Sequence, residues 1–272
     1  MSYQVHFISG LPRSGSTLLA AILRQNPNFR AEMTGPVAQL CGMVHQTIAG
    51  TGEFAWLFNE ARCADMLRGI FDAYYRDVPP GSVVFDTNRT WTGRAALLGT
   101  LYPQCRIICC VRDIGWILDS LESLRLRHPL QLSRLYAQQT GESLYARVDA
   151  LMNSDHGLVG APWSTLREAW FSTAAGRLIV IPYEVLVRSP DYTLRRLYAE
   201  LGEPYFEHDF HHVTYEAPDY DDHLRSPGLH TVRPFVEYRE RQPVIPPDLF
   251  AKYAKSHFWS NPELNPRKVV IL

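Results

Sequence analysis

No lysine precedes Lys252 in this 272-residue chain. A turn that binds a nucleotide with a lysine therefore has none to use over more than nine-tenths of the sequence. Cysteine is scarce and odd in number: Cys41, Cys63, Cys105, Cys109 and Cys110 form no CxxC pair and no His/Cys zinc spacing. Cys105, Cys109 and Cys110 fall in or beside an apolar strand, where buried free thiols in a reducing compartment are expected. No apolar run approaches the roughly 20 residues of a membrane helix, and the N-terminus runs straight into a strand pattern without a leader. A soluble, cytoplasmic protein with no membrane partner is the expectation. With a formal net charge of −1, the chain lacks the basic excess of a nucleic-acid binder, and 46% hydrophobic against 20% charged residues excludes disorder. Repeats, low-complexity segments and linkers are missing too, so residues 1–272 are expected to form a single domain.

What is present begins at Phe7-Ile8-Ser9-Gly10-Leu11-Pro12-Arg13-Ser14-Gly15-Ser16-Thr17-Leu18-Leu19. This stretch reads as a strand, a glycine-bounded turn and a helix start. Free amides at such a helix start favour a bound phosphate or sulfate. The spacing nearly matches the nucleotide loop Gly-x4-Gly-Lys-Ser/Thr, but Ser16 occupies the lysine position and Arg13 is the only close cation. A kinase or nucleotide hydrolase uses that lysine on the terminal phosphates. A P-loop kinase or a non-catalytic nucleotide-binding module is thus the competing class.

Helical spacing is predicted over Thr17–Arg24, Met33–Ile48, Glu60–Tyr75, Thr92–Leu101, Trp116–Leu126, Arg134–Met152, Pro162–Ala175, Tyr192–Leu201 and Pro247–Phe258. Four buried-type strands alternate with these helices: the apolar run from Val5 closed by Phe7 and Ile8, then Ser82–Asp86, Arg106–Val111 and Leu178–Ile181. The pattern predicts an α/β fold, a P-loop-type parallel β-sheet flanked by helices on both faces. Strand ends deliver Asp86-Thr87-Asn88-Arg89, Arg112-Asp113 and Tyr183-Glu184, where open parallel sheets bind ligands. From about 204 to 272 the aromatic, His- and Asp-rich segments and many prolines predict irregular structure, interrupted by the last helix at Pro247–Phe258. Asp219, Asp221 and Asp222 read as a solvated loop. His208, His211 and His212 with Asp209 lack the fixed support of a metal site, so no metal is expected.

Taken together, Pro12-Arg13-Ser14-Gly15-Ser16-Thr17-Leu18, Val111-Arg112-Asp113 with Ser120, and Tyr183-Glu184 with Leu186, Val187 and Pro190 resemble sulfotransferases that use 3′-phosphoadenosine-5′-phosphosulfate (PAPS). Thr87-Asn88-Arg89-Thr90-Trp91 and Leu101-Tyr102-Pro103-Gln104-Cys105 extend the resemblance, which is nearest to the tyrosylprotein type of bacterial character and covers roughly the first 200 residues. It implies PAPS as cofactor with 3′,5′-ADP as product, and Pro12, Arg13, Ser14, Gly15, Ser16 and Thr17 on the 5′-phosphosulfate. Arg112 and Ser120 would take the 3′-phosphate, Tyr183 would pack near the nucleotide, and Arg233, within Leu229–Pro234, would stand for a family lysine on a covering segment. A ligand with two separated phosphates needs two anion sites on one sheet edge.

Three departures accompany the resemblance. Arg89 replaces a lysine that helps the leaving group; a further phosphate-binding arginine falls on Leu124, leaving Arg125 or Arg127 to substitute; and Arg30-Ala31-Glu32-Met33-Thr34 keeps one glutamate where the family has two. The resemblance implies Arg13, Glu32 and Arg89 as catalytic, with Glu32 as the base and Asp86 and His45 in reserve. Structural alternatives are an ion pair of Arg112 with Asp113 or another acid, core packing for Tyr183 and an exposed carboxylate for Glu32. The implied acceptor is a tyrosine phenol in a peptide or protein, with a glycan or small-molecule hydroxyl as the alternative, and a homodimer is compatible with the resemblance. Arg30, Arg94, Arg125 and Arg127 are the candidate basic contacts for an acidic peptide.

Overall fold

Alternate residues of the apolar strands turn to opposite sides of one sheet. The computed structural model describes residues 3–50, 52–130, 133–134, 143–254 and 256–272. In chain order the first half runs β1 (Gln4–Gly10), α1 (Ser16–Leu23), β2 (Phe29–Ala31), α2 (Val37–Ala49), α3 (Glu60–Tyr74), β3 (Val83–Thr87), α4 (Ala95–Leu101), β4 (Ile107–Val111) and α5 (Ile114–Arg127). It continues through α6 (Leu144–Leu151), α7 (Gly160–Phe171), β5 (Leu178–Pro182), α8 (Tyr183–Arg188), α9 (Pro190–Leu201), α10 (Pro218–His223), α11 (Pro247–Tyr253) and β6 (Val270–Ile271).

Val5 and Phe7 of β1, Ile107 and Cys109 of β4 and Leu178 of β5 enter one core, packed with Val37, Leu67, Leu98, Ile117 and Leu166 of the helices. Ile8, Ile108, Cys110 and Ile179 enter a second core with Leu19 of α1 and Leu194 of α9. A sheet covered on both faces is the setting in which strands read as continuous apolar runs. Burial pushes the Cys110 thiol up to about 12, so this cysteine packs as a small apolar group rather than a nucleophile.

The six strands lie in the order β2-β3-β1-β4-β5-β6, and every neighbouring pair is parallel. β1 therefore sits between β3 and β4, and the chain crosses from one side of it to the other before β4. A crevice opens at the carboxyl ends of strands at such a switch point.

Two strands are added to the four expected. β2 and β6 hold three and two residues, too few to show a period. The helix expected from Met33 begins at Val37, because the Met33 amide donates to Tyr215 Oη at 2.9 Å and the Gly35 amide to the Thr87 carbonyl at 3.2 Å, and Pro36 then sets the N-cap. Pro247–Phe258 is helical only to Tyr253. Of Arg134–Met152, Leu144–Leu151 is helical, and residues 135–142 lie outside the described residues. α8 follows β5 without a loop and was not anticipated.

Candidate active site

The turn after β1 is built by three left-handed residues: Gly10 at φ 101°, Arg13 at φ 57° and Gly15 at φ 91°. A Cβ on Gly10 would strike the carbonyl oxygen of Cys110, so only glycine lets β1 and β4 approach this closely. At Gly15 a Cβ would stand 3.0 Å from the Tyr183 ring, which packs on the turn from the start of α8. The amides of Gly15, Ser16 and Thr17 find no acceptor among the described residues. They point out of the N-terminus of α1 as an anion cradle.

Arg13 crosses from this turn to α5, donating from Nε to Ser120 Oγ at 3.3 Å, and its Nη1 donates to the Leu229 carbonyl at 2.5 Å. Arg112, at the end of β4, lays its guanidinium 4.3 Å over the Tyr183 ring and holds Nε 3.7 Å from Glu184 Oε1. That Nε is buried and makes no hydrogen bond among the described residues. Burial lowers the Arg112 pKa, with Tyr183 and Glu184 opposing the shift and Arg241 adding to it. A buried donor with only a long ion pair, beside a hydroxyl and a set of open amides, fits a ligand with separated anionic groups.

These residues line one cleft of about 890 Å³, together with Pro12, Ser16, Thr17, Arg89, Arg127 and Arg233. Ser14 is the exception in the turn: it is buried, and its hydroxyl turns back to the Pro12 carbonyl at 3.3 Å. No lysine lines the cleft among the described residues.

A sequence model of the sulfotransferase family matches residues 6–208. The chain belongs to the sulfotransferase family. Among solved structures it is similar to the sulfotransferase domain from the curacin biosynthetic pathway, at 18% identity over 75% of this chain and 75% of that chain with a TM-score of 0.51, a likeness of fold. The sulfotransferase domain from the Synechococcus PCC 7002 olefin synthase is similar at 19% identity over 84% and 86%, with a TM-score of 0.48. Mouse sulfotransferase SULT7A1, solved in complex with PAP, is similar at 16% identity over 75% and 61%, with a TM-score of 0.46. No curated protein sequence matches the chain.

In this sulfotransferase the residues expected to supply a base do not gather in the cleft. Glu32 pairs with Arg30 at 2.6 Å with its side chain 45% exposed, and its charge acts on Tyr74 and Tyr215. Asp86 is buried and accepts from Tyr75 Oη at 2.6 Å and Trp91 Nε1 at 2.7 Å, a strand-end anchor. His45 is exposed on α2. Leu124 is buried, Arg125 is held by Glu122 at 2.6 Å, and Arg127 is the member of that helix end that reaches the cleft. Arg94 donates to the Ala38 carbonyl and lies over Trp91 at 5.8 Å.

The C-terminal third contributes what spacing did not reveal. Asp221, read from sequence as part of a solvated acidic loop, is buried on α10 at 1% exposure, because the helix turns it away from Asp219 and Asp222 toward the cleft wall. Its carboxylate holds His230 through Oδ1 to Nδ1 at 2.5 Å and Oδ2 to the His230 amide at 2.9 Å. Asp119, buried on α5, accepts the Val244 amide at 2.5 Å and pairs with Arg241, whose guanidinium lies 4.9 Å over Trp116. No single stretch of sequence signals either pair. Among the described residues no group of three His, Cys, Asp or Glu side chains is arranged to hold a metal ion, and no helix is long and apolar enough to cross a membrane.

Proposed function

We propose that the protein transfers a sulfuryl group from PAPS to an acceptor hydroxyl, with a tyrosine phenol of a peptide or protein as the acceptor. The observation behind this reading is the pair of anion sites on one sheet edge, the open amides after β1 and the buried Arg112 after β4, bridged by the Arg13–Ser120 contact. A single-phosphate ligand needs one such site; a 3′-phosphate with a 5′-phosphosulfate uses both. When bound, PAPS supplies a sulfuryl group whose bridging oxygen departs with the phosphate.

The chain's own groups do the rest. Gly15, Ser16 and Thr17 present amides, and the last two hydroxyls, toward the 5′ end. Arg13 and Arg89 hold the charge that grows on the departing oxygen; the burial that lowers the Arg89 pKa also removes screening water, so an anion bound there is attracted more strongly than in bulk water. Arg112 and Ser120 hold the 3′-phosphate, and Tyr183 fixes Arg112 by stacking. The missing lysine at Ser16 argues against ATP as donor, since no lysine lines the cleft among the described residues.

The peptide reading is supported by Arg127 and Arg233, both exposed and both at the cleft, which fit the acidic neighbours of a tyrosine. A small-molecule or glycan hydroxyl is the alternative acceptor, and the curacin-pathway domain of similar fold keeps it in view. Calorimetry with 3′,5′-ADP against ATP plus magnesium tests the donor. Binding of 3′,5′-ADP is expected, and binding of ATP with no affinity for 3′,5′-ADP would refute the reading. Incubation with PAPS and acidic tyrosine peptides, followed by mass spectrometry, tests the acceptor.

A further inference from the structure

We propose that His230, oriented by the buried carboxylate of Asp221, is the base that takes the proton from the acceptor hydroxyl. The inference rests on the sulfuryl-transfer reading and adds to it the residue that reading lacks, since Glu32 is engaged by Arg30 outside the cleft lining.

The turn from α10 to His230 is folded around Asp221. The Asp221 carbonyl accepts the Ser226 amide at 2.8 Å, and left-handed Arg225 at φ 51° and Gly228 at φ 74° bring the chain back on itself. Both carboxylate oxygens are then used on His230, one on the ring and one on the backbone amide. Arg13 donates to the carbonyl of Leu229, the preceding residue, so the ring is registered against the same turn that cradles the anion. Tyr220 closes the side, its ring edge-on at 5.4 Å.

A carboxylate can only accept, so Nδ1 is the protonated nitrogen and Nε2 keeps its lone pair. Nε2 has no hydrogen-bond partner among the described residues, while the ring lines the cleft beside Arg13 and Arg89. The charged and titratable groups around it are Asp221, Arg13, Arg89 and Tyr220. Burial lowers the His230 pKa, Asp221 opposes that, and Arg13 and Arg89 lower it further. The ring is accordingly neutral and basic at Nε2 at neutral pH, which is what a base needs before transfer.

In the step, the acceptor O–H bond breaks and its proton passes to Nε2. The freed electron pair forms the new O–S bond as the S–O bond to the phosphate breaks, and that phosphate oxygen keeps its bonding pair. The imidazolium lies between Asp221, which stabilises it, and two arginines that favour return of the proton to water after product release.

Three measurements on the full chain test this. Long-range proton–nitrogen NMR of the imidazoles at neutral pH is expected to show His230 with Nδ1 protonated and Nε2 bare, and Asp221→Asn is expected to disturb that pattern. A proton on Nε2 in the unliganded protein would overturn the proposal without any acceptor being known. Turnover of PAPS with tyrosine methyl ester is expected to fall about 10²–10⁴-fold in His230→Gln. With 4-nitrophenol in mildly alkaline buffer, where the phenol is already ionised, the loss should be less than about tenfold, and equal losses on both acceptors would overturn the proposal. Calorimetry with 3′,5′-ADP separates the two levels: His230→Gln is expected to bind within about threefold of the parent, a change under 1 kcal/mol. Failure of the parent protein to bind would refute the donor reading, whereas a bare Nε2 with unchanged turnover in His230→Gln would refute only the base.

Discussion

Arg13 Nε donates to Ser120 Oγ at 3.3 Å, joining the turn after β1 to the second turn of α5 across 107 positions of sequence. The contact sets the distance between the two proposed phosphate sites, because one partner belongs to each. Ser120→Ala removes a hydroxyl that serves Arg13 and, in the proposed complex, the 3′-phosphate. A hydrogen bond to a charged group contributes about 1.5–3 kcal/mol, so affinity for 3′,5′-ADP should fall roughly 10–100-fold. Affinity for 5′-AMP should change much less, and calorimetry with both nucleotides gives the comparison. Equal losses would mean that Ser120 acts through Arg13 alone.

Arg112 gives the sharper version of the same test. Its guanidinium is fixed by the Tyr183 face and by Glu184, and its Nε is buried without a hydrogen bond among the described residues. Arg112→Ala should weaken 3′,5′-ADP far more than 5′-AMP. Arg112→Lys should recover little, because an ammonium cannot reproduce both the flat stack on Tyr183 and the planar donor fork. Full recovery by lysine would show that only the charge matters there.

The parts of the fold and site that could be read from sequence are those whose signal is local. The Gly10–Thr17 turn is contiguous, and the strands that flank it are apolar runs of five or more residues whose alternation survives in two cores. Arg112 and Ser120 share one strand-to-helix unit, so a fixed offset finds both. The Asp221–His230 pair has no such signal. Its nine-residue separation matches neither a helix nor a strand period, and it closes only because Arg225 and Gly228 take positive φ. Asp219 and Asp222 beside Asp221 made the segment look solvated, and burial of one acid in a run of three depends on which face of α10 meets the cleft. Arg241 and Asp119 are likewise paired by tertiary packing alone.

Glu32 separates the resemblance from the geometry. Its partner Arg30 holds it at 2.6 Å in a half-exposed pair, a contact worth no more than about 1 kcal/mol. Glu32→Ala is expected to leave 3′,5′-ADP binding and turnover within about threefold and stability within about 1 kcal/mol. A drop in turnover of two orders of magnitude with intact binding would restore Glu32 as the base and remove His230 from that role.

His6 links the sheet to pH. It is buried in β1, where its Nδ1 accepts the Arg106 amide at 3.0 Å, and burial, reinforced by the Arg106 charge, lowers its pKa from 6.5 to about 4. Between those values the unfolded chain binds a proton that the folded chain refuses, so stability rises with pH across the window and is lost as pH falls through it. A shift of this size corresponds to roughly 3 kcal/mol between the two ends. Burial lowers the pKa of His208 to about 4 as well, so both rings act in the same range. Urea midpoints measured from about pH 7 down to about pH 4.5 should therefore fall steeply. His6→Asn keeps an acceptor for the Arg106 amide without a titrating ring; it should lower the midpoint at neutral pH yet flatten the acid slope by about half. Parallel slopes for the two proteins would place the acid sensitivity elsewhere in the fold.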